Sequence, residues 1–179
     1  MQKSMKLQIA EQLNELAKEK RNDKLTVTDL VEKCKISRQT FYYHFRDIPD
    51  VIDWYINKDI DDKLRLSIDE GLKIGTVRTF VDVLMNCEPI IQYGMATSRM
   101  WRVDDILVAT LRRVLKKLLQ AENPGRDLNT PETKLHLDFS AYGVSGAIYQ
   151  NMLTVKQDPD LLAKEIYAIL TSMRSIQLN

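Results

Sequence analysis

Cysteine, histidine and long apolar runs are scarce in this chain of 179 residues. The two cysteines, Cys34 and Cys87, both lie among helix-forming residues, which indicates reduced, packed thiols and no disulfide framework. No apolar run approaches the roughly 20 residues that span a bilayer. The first residues, MQKSMKLQIAEQ, carry charges where a signal peptide has its apolar segment. The sequence therefore predicts a cytoplasmic protein with no membrane partner.

Motifs that carry catalysis or bind metal ions are absent from the sequence as well. The only histidines are His44 and His136, and there is no CxxC, HExxH, Gly-rich phosphate loop or G-x-S-x-G. Nothing in the spacing of Cys87, His136 and the carboxylates supports a structural metal site. We therefore expect a protein that is not an enzyme and that carries no metal and no cofactor.

Signals for β-strands are missing, and glycine and proline are few. No β-branched run alternates with polar residues, and no Asn-Gly or Asp-Gly turn occurs. Most glycines and prolines fall between segments whose apolar residues recur at helical spacing, and they divide the chain into about nine such segments. The predicted fold is all-α.

The net charge of +1 hides an uneven distribution along the chain. Residues 1–46 contain ten Lys or Arg and six Asp or Glu, whereas residues 47–179 contain sixteen and nineteen. A basic N-terminal quarter on a mildly acidic remainder is typical of a small nucleic-acid-binding domain joined to a larger partner-binding or dimerising part. An excess of four charges is also common on ordinary protein surfaces, so this pattern does not decide by itself.

The segment from Thr26 to Phe45, TVTDLVEKCKISRQTFYYHF, has the pattern of two short helices joined by a tight turn. Thr26 and Asp29 form a capping-box pattern that starts one helix, and Ser37 is a good N-cap for the next. The second helix is too short to be stable alone, so Phe41 and Phe45 must hold it against its neighbours. Its polar residues are of the types that bind base edges and phosphates in the DNA major groove.

The motif S-R-Q-T-F-Y-Y-H-F, preceded by T-V-T-D-L-V, resembles the signature of the TetR family of bacterial transcriptional regulators. The R-Q-T-F-Y-Y-H-F wording, with D-W soon after it, is also similar to regulators of dihydroxyacetone kinase operons. The resemblance implies an N-terminal three-helix helix-turn-helix DNA-binding domain and a C-terminal helical domain for effector binding and dimerisation. It implies DNA contacts at Thr28, Arg38, Gln39, Thr40, Tyr42, Tyr43 and His44, to which we add Ser37 at the start of the same helix.

Two positions depart from the pattern of this family. The turn, where the family usually has Gly, contains Lys35, and a left-handed conformation there would cost a non-Gly residue about 1–2 kcal/mol. The start of the fourth helix, where the family places a Lys close to a phosphate, contains Ile48. That phosphate contact is therefore in question, although backbone amides at the helix N-terminus could supply it.

Apolar residues recur every four positions from Ile52 to Ile68, which predicts a long fourth helix that begins at the N-cap Asp47 and is shared by both domains. We place the DNA-binding domain at residues 1–46 and the effector-binding and dimerisation domain at residues 47–179. Aromatic and methionine side chains are more often core than pocket, but they are the candidates for an effector pocket. These candidates are Trp54, Tyr55, Phe80, Met85, Tyr93, Met100, Trp101 and Tyr142.

Two apolar stripes run along the helix that Pro131 opens. One has a heptad-like spacing at Leu135, Phe139, Tyr142, Gly146, Tyr149 and Leu153, and the other contains Leu137, Ala141, Val144, Ile148 and Met152. The last helix repeats the seam at Leu162, Ile166, Ile169 and Met173. A surface helix of a monomer needs only one stripe, so the pattern predicts a four-helix interface between two subunits, as the resemblance also implies. The alternative is that the extra stripe covers helices four to seven of the same chain.

The leading hypothesis is a homodimeric transcriptional regulator that binds a near-palindromic double-stranded DNA operator and responds to a small-molecule effector in its C-terminal domain. Repression is the usual mode of the family. The alternative is a DNA-bound adaptor or activator of the same fold whose C-terminal domain binds a protein partner. An enclosed, mostly apolar cavity would favour the small molecule, whereas a packed core with an exposed apolar patch would favour the protein.

Overall fold

The computed structural model describes residues 4–20, 25–68, 71–96 and 100–175, and within these ranges it contains nine α-helices and no β-strand. The first five are α1 (Met5–Lys20), α2 (Val27–Cys34), α3 (Arg38–His44), α4 (Ile48–Ile68) and α5 (Ile74–Asn86). They are followed by α6 (Glu88–Ala96), α7 (Met100–Glu122), α8 (Pro131–Gln150), a π-helical turn (Asn151–Val155) and α9 (Pro159–Ser175). The predicted all-α fold is confirmed.

The chain divides into two compact units, which we call the head and the body. The head consists of the described residues in Met1–Asp59 and Asn86–Asp104, and the body of those in Ile60–Met85 and Asp105–Asn179. This division differs from the predicted boundary after residue 46, because the first half of α4 and the whole of α6 belong to the head. The head includes α6 because that helix packs against α1, a contact between distant parts of the sequence that no local pattern indicates.

The head is assembled from short helices with well-defined ends. α1 packs against α2 and α6, and α2 packs against α3. The predicted capping box starts α2: the Thr26 hydroxyl accepts from the Asp29 N–H at 3.1 Å, and the Asp29 carboxylate accepts from the Thr26 N–H at 2.8 Å. These reciprocal bonds satisfy backbone donors that the first turn of a helix leaves without helical partners.

The body buries one apolar face of each of its helices. Its core contains Val77 and Phe80 from α5, Leu111 and Leu118 from α7, Leu137 and Val144 from α8, and Leu162 and Ile166 from α9. Ion pairs join neighbouring helices at the surface, among them Arg113 with Asp61 at 2.6 Å. Exposed pairs of this kind contribute only about 0–1 kcal/mol each, so the apolar faces provide most of the stability of the body. No helix in the described ranges is both long and apolar enough to cross a membrane.

Candidate nucleic-acid interface

Lys35 makes the turn between α2 and α3 in a left-handed conformation, with φ 53° and ψ 44°. Its N–H donates to the Glu32 carbonyl at 3.1 Å, and the Ile36 N–H donates to the Val31 carbonyl at 3.0 Å. Both bonds close the last turn of α2. The left-handed conformation considered from the sequence is therefore present, at a cost of about 1–2 kcal/mol for a lysine.

The aromatic side of α3 holds this helix in place. Phe41 is fully buried and Phe45 is nearly so. The Phe45 ring lies 6.2 Å from that of Phe41 and packs edge-on against Trp54 of α4, with 5.8 Å between the ring centroids. Trp54, a candidate for the effector pocket, packs here within the head. Its indole ring supports α3, because a helix of seven residues needs tertiary contacts to form at all.

The opposite side of α3 is open to solvent. Tyr43 is 84% exposed and Tyr42 is 58% exposed. Arg38 and Gln39 are also exposed, and Thr40 and His44 are partly so. Six of the predicted DNA contacts thus lie on one short helix whose apolar side faces inward. A group of exposed aromatic, guanidinium and amide side chains is suited to binding base edges and phosphates.

The remaining two predicted contacts, Thr28 and Ser37, have structural partners. The Arg38 guanidinium donates to the Thr28 hydroxyl at 2.7 Å, which fixes the arginine beside α2. The Ser37 hydroxyl accepts from the Thr40 N–H at 3.0 Å and lies 2.8 Å from the Thr40 hydroxyl, so Ser37 is the N-cap of α3. All eight predicted residues are therefore found on α2, on α3 or at the turn that joins them.

Residue 48, in the first turn of α4, is an isoleucine and carries no charge. Its side chain is 5% exposed and packs inward. Asp47 is the predicted cap, and its carboxylate accepts from the Asp50 N–H at 2.9 Å. The exposed cation at this place is Arg46, directly after Phe45, the residue that ends α3.

The predicted effector-pocket residues are divided between the two units. Tyr93 is buried in the head, where its hydroxyl accepts from the Leu25 N–H at 2.6 Å. Tyr55 also lies in the head, and burial raises its pKa to about 12. Tyr142 is exposed on α8, and Met85 is partly buried at the end of α5. The side chains of Met100 and Trp101 lie outside the described ones. Tyr93 of the head therefore serves as packed core, as aromatic residues often do.

Phe80, a predicted pocket residue, lines a cavity. That cavity lies within the body and has a volume of about 20 Å³, with a lining of Leu72, Thr76, Val77, Phe80, Leu111, Val114, Leu115, Leu118, Val144, Ile166 and Leu170. Pockets for small molecules usually have volumes of about 300–1,000 Å³, so this cavity is too small for a metabolite. A cleft of about 590 Å³, not predicted, is lined by Asp61, Arg65, Ile68, Lys117, Gln120 and Ala121.

α8, the π-helical turn and α9 expose large apolar side chains in the part of the chain that the structure describes. Leu135, Phe139 and Tyr142 are 69%, 66% and 62% exposed, and Leu153, Leu161 and Ile169 are about half exposed. Gly146 is exposed as well, and Tyr149 is partly buried. The second stripe of α8, at Leu137, Ala141, Val144, Ile148 and Met152, is buried in the body. The first stripe is therefore the outward one. We use the name apolar face for the exposed apolar residues of α8, the π-helical turn and α9, which are Leu135, Phe139, Tyr142, Leu153, Leu161 and Ile169.

The part of this seam that we predicted on α9 needs correction. Leu162 and Ile166 are 4% and 2% exposed and lie in the core of the body. The outward residues of α9 are Leu161 and Ile169. The heptad spacing suggested one continuous seam, but α9 uses Leu162, Ile166 and Leu170 to pack inward, so an outward contact has to use other positions. The side chain of Met173 lies outside the described ones.

No family model and no curated protein matches this sequence. Solved structures do match it over nearly its whole length. The dihydroxyacetone kinase operon activator DhaS has a TM-score of 0.71 and 16% sequence identity, with 96% of each chain covered. The chain has the TetR-regulator fold.

Two further structures share the TetR-regulator fold. One is described as a TetR-family transcriptional regulator from Syntrophomonas wolfei, with a TM-score of 0.63, 14% identity and coverage of 97% of this chain and 96% of that one. The other is the fatty acid degradation regulator FadR from Bacillus halodurans, with a TM-score of 0.58, 16% identity and coverage of 95% and 96%. The resemblance of residues 26–45 to the TetR signature is confirmed at the level of the fold.

Proposed function

We propose that this protein is a homodimeric transcriptional regulator that binds a near-palindromic DNA operator through α3. The observation that carries the proposal is the two-sided construction of α3. Phe41 and Phe45 anchor one side, while Arg38, Gln39 and Tyr43 present exposed hydrogen-bonding groups on the other. The TetR-regulator fold supports this assignment, since helix-turn-helix proteins place such a helix in the major groove.

The side chains of α3 divide into two chemical groups. Arg38 and Gln39 have the forked geometry that reads guanine and adenine edges through paired hydrogen bonds. Tyr42, Tyr43 and His44 carry donors suited to phosphate oxygens, which fix the position of a protein on the duplex but do not read its sequence. Arg38 is already held by the Thr28 hydroxyl, so its guanidinium loses less freedom on binding than an unsupported side chain would.

The apolar face supports a dimer. Exposed contiguous apolar surface is uncommon on monomers and marks interaction sites, and α8 and α9 pack side by side. A two-fold axis through this face would bring together two copies of Leu135, Phe139 and Tyr142 and bury all of them. The dimer would present two α3 helices to half-sites about 34–36 Å apart, one turn of DNA. Repression follows where such an operator overlaps a promoter.

The DNA-binding claim is tested by titrating the protein against the DNA upstream of its own gene. We expect Gln39→Ala to weaken operator binding by about 1–3 kcal/mol and to relax sequence preference, because a paired base contact is lost. Tyr42→Phe should weaken binding to all sequences alike. Gln8→Ala, at an exposed glutamine of α1, is the matched control and should have no effect. Unchanged binding in both α3 variants would show that α3 is not the recognition helix.

The dimer claim is tested by sedimentation at micromolar concentration. Phe139→Glu should dissociate the dimer, because truncating or charging a central interface residue costs about 2–4 kcal/mol and a two-fold interface contains it twice. Ile74→Glu is the matched control: Ile74 is 42% exposed on α5, outside the apolar face. A wild-type protein that sediments as a monomer would contradict the dimer.

A second candidate function is a DNA-bound activator or adaptor that responds to a protein partner. One observation favours it: a structurally similar protein, DhaS, carries the name of an operon activator. A cell extract separated by ultrafiltration distinguishes the candidates. A metabolite would change operator affinity from the low-molecular-weight fraction, whereas a protein partner would act only from the retained fraction.

A further inference from the structure

The cleft of the body lies between α4 and α7, and all of its lining residues belong to that unit. Its α4 side consists of Asp61, Arg65 and Ile68, and its α7 side of Lys117, Gln120 and Ala121. Residues three or four positions apart share one face of a helix, so each side of the cleft is a single stripe of side chains. This lining includes no residue of α3 and none of the apolar face. Neither DNA binding nor dimerisation therefore explains the cleft.

The lining of the cleft carries more positive than negative charge. One oxygen of the Asp61 carboxylate lies 2.6 Å from the Arg113 guanidinium and 3.6 Å from the Lys117 ammonium group. Arg65 is exposed, and its guanidinium has no hydrogen bond or ion pair in the part of the chain that the structure describes. Since Arg113 balances the carboxylate of the lining, the two cations that line the cleft remain available to an anionic ligand.

Two neighbouring carboxylates lie outside the lining. Glu122 accepts a hydrogen bond from the Leu72 N–H at 2.8 Å, so its carboxylate is engaged by the backbone that precedes α5. Asp62 follows Asp61 and lies about 100° further around α4, away from the stripe that lines the cleft.

The cleft also offers apolar surface and enough room for a small molecule. Its volume of about 590 Å³ falls within the usual range of about 300–1,000 Å³ for such sites. Ile68 is 7% exposed and lines the cleft together with Ala121. Arg65 and Lys117 add the apolar stems that lie below their charged ends. One ligand can therefore meet both a cationic and an apolar surface here.

A carboxylate is the anion that suits these side chains. The planar guanidinium of Arg65 presents paired N–H donors that match the two oxygens of a carboxylate, and Lys117 adds a second positive charge. Gln120 is held at the edge of the cleft, because its side-chain amide donates to the Pro124 carbonyl at 2.7 Å. Inorganic phosphate could meet the cations but would leave the apolar surface of the cleft in contact with water.

We propose that the cleft between α4 and α7 binds a small organic carboxylate. The carboxylate group pairs with Arg65 and Lys117, and the apolar part of the ligand lies on Ile68 and Ala121. The enclosed cavity around Phe80, at about 20 Å³, is too small for such a ligand. This inference goes beyond the proposed DNA binding and does not depend on it.

A nuclear magnetic resonance titration of the isotope-labelled full chain tests the site. The probes are phenylbutyrate, which has a carboxylate and an apolar body, and phenylbutanol, its uncharged counterpart. Phenylbutyrate should shift the backbone amide signals of Lys117, Gln120 and Ala121 and saturate at millimolar concentration, and phenylbutanol should bind about tenfold more weakly. Absence of saturable binding, equal affinity for the two probes, or shifts confined to the apolar face would overturn the proposal.

Four variants test the assigned side chains. Arg65→Gln and Lys117→Gln should each lower the affinity for phenylbutyrate about fivefold and leave that for phenylbutanol unchanged. Asp61→Asn should raise the affinity for phenylbutyrate about twofold, because it removes a negative charge beside the bound carboxylate. Lys116→Gln is the matched control, since Lys116 is exposed on α7 and does not line the cleft.

The outcomes separate this inference from the proposed function. Unchanged affinity in both Arg65→Gln and Lys117→Gln, or an equal loss in Lys116→Gln, would overturn the site. Competition by inorganic phosphate as effective as that by phenylbutyrate would overturn the apolar part of the assignment. Operator binding by the same variants without phenylbutyrate should match that of wild type, so failure of the cleft leaves the DNA-binding proposal standing. Circular dichroism of each variant identifies a loss of binding caused by unfolding.

Discussion

Different kinds of contact stabilise the head and the body, each within itself. In the head, buried or capped polar groups fix the helices: Tyr93 binds the Leu25 N–H, the Asn14 amide donates to the Asn86 carbonyl at 3.1 Å, and Thr26 caps α2. In the body, apolar faces pack on one another, and exposed ion pairs such as Arg113 with Asp61 are among the polar contacts between its helices. The surfaces differ in the same sense, since the head exposes polar and aromatic groups on α3 whereas the body exposes the apolar face.

This difference corresponds to two physical tasks. Hydrogen bonds are directional, so the polar contacts of the head fix the position of a short helix whose function depends on its orientation. Apolar burial has little directionality but is roughly proportional to area, so the body is suited to joining subunits. A substitution in one unit therefore tests whether the other unit responds.

The largest effect is expected from removing one core phenylalanine in each unit. Phe41→Ala in the head and Phe80→Ala in the body should each lower the free energy of unfolding by about 3–5 kcal/mol, because both rings are buried. Hydrogen exchange should show the loss of protection in α1–α3 for Phe41→Ala and in α5 and α7–α9 for Phe80→Ala. Phe41→Ala should lose operator binding and remain a dimer. Equal loss of protection throughout both variants would show that the two units unfold as one.

The next effect concerns one of the hydrogen bonds that join the two segments of the head. Tyr93→Phe removes the hydroxyl and leaves the buried Leu25 N–H without its acceptor, which should destabilise the protein by about 1–3 kcal/mol in urea denaturation. Tyr142→Phe is the matched control, because that side chain is 62% exposed and should change stability by less than about 0.5 kcal/mol. If both variants were equally stable, the polar contacts of the head would not have the importance that we assign to them.

Features that depend on residues close together in the sequence could be predicted from it. The capping box at Thr26, the N-cap at Ser37 and the inward positions of Phe41 and Phe45 depend on residues a few positions apart, and the structure contains all of them. The two stripes of α8 were also readable, because a surplus apolar face is a property of one helix. The exposed stripe and the buried stripe are both present as patterned.

Contacts between residues far apart in the sequence could not be predicted from local patterns. Nothing near Tyr93 in the sequence indicates that its hydroxyl accepts from the Leu25 N–H, or that Trp54 packs against Phe45. On α9, Leu162 and Ile169 fit one heptad seam, but packing against the rest of the body puts Leu162 inside and Ile169 outside. Periodicity shows that a helix has an apolar side, but it does not show which neighbour covers that side.

A smaller effect is expected from the Asp29 carboxylate of the capping box. The hydrogen bond from Lys20, at 2.6 Å, and that from Thr26 lower the pKa of Asp29 to about 2. Since this pKa lies below the unfolded value of about 3.9, the stabilisation is complete above about pH 4 and is lost as the pH falls towards 2. Asp29→Asn should remove on the order of 1–2 kcal/mol at pH 7 and nothing near pH 2.

Thr26→Ala is the companion variant for Asp29. It should cost about 0.5–2 kcal/mol at neutral pH through loss of the cap, but it retains Lys20, the largest cause of the low pKa. Urea denaturation between pH 2 and pH 7 should therefore show most of the wild-type pH dependence in Thr26→Ala and less of it in Asp29→Asn. An identical pH dependence in wild type and Asp29→Asn would contradict the proposed role of the carboxylate.

The smallest effect is expected from Gly146→Ala, which should stabilise the single subunit but weaken the proposed dimer. Gly146 is exposed on α8, and a Cβ atom added there would meet no other atom within 4 Å. In a monomer, obtained with Phe139→Glu, Gly146→Ala should stabilise the fold by about 0.8–1.0 kcal/mol, because alanine favours the helix. In the dimer, the added methyl group would lie where α8 approaches its partner, so the dissociation constant should rise. Equal stabilisation in both backgrounds would show that the partner helix does not approach at Gly146, and the proposed interface would then have to be centred elsewhere on the apolar face.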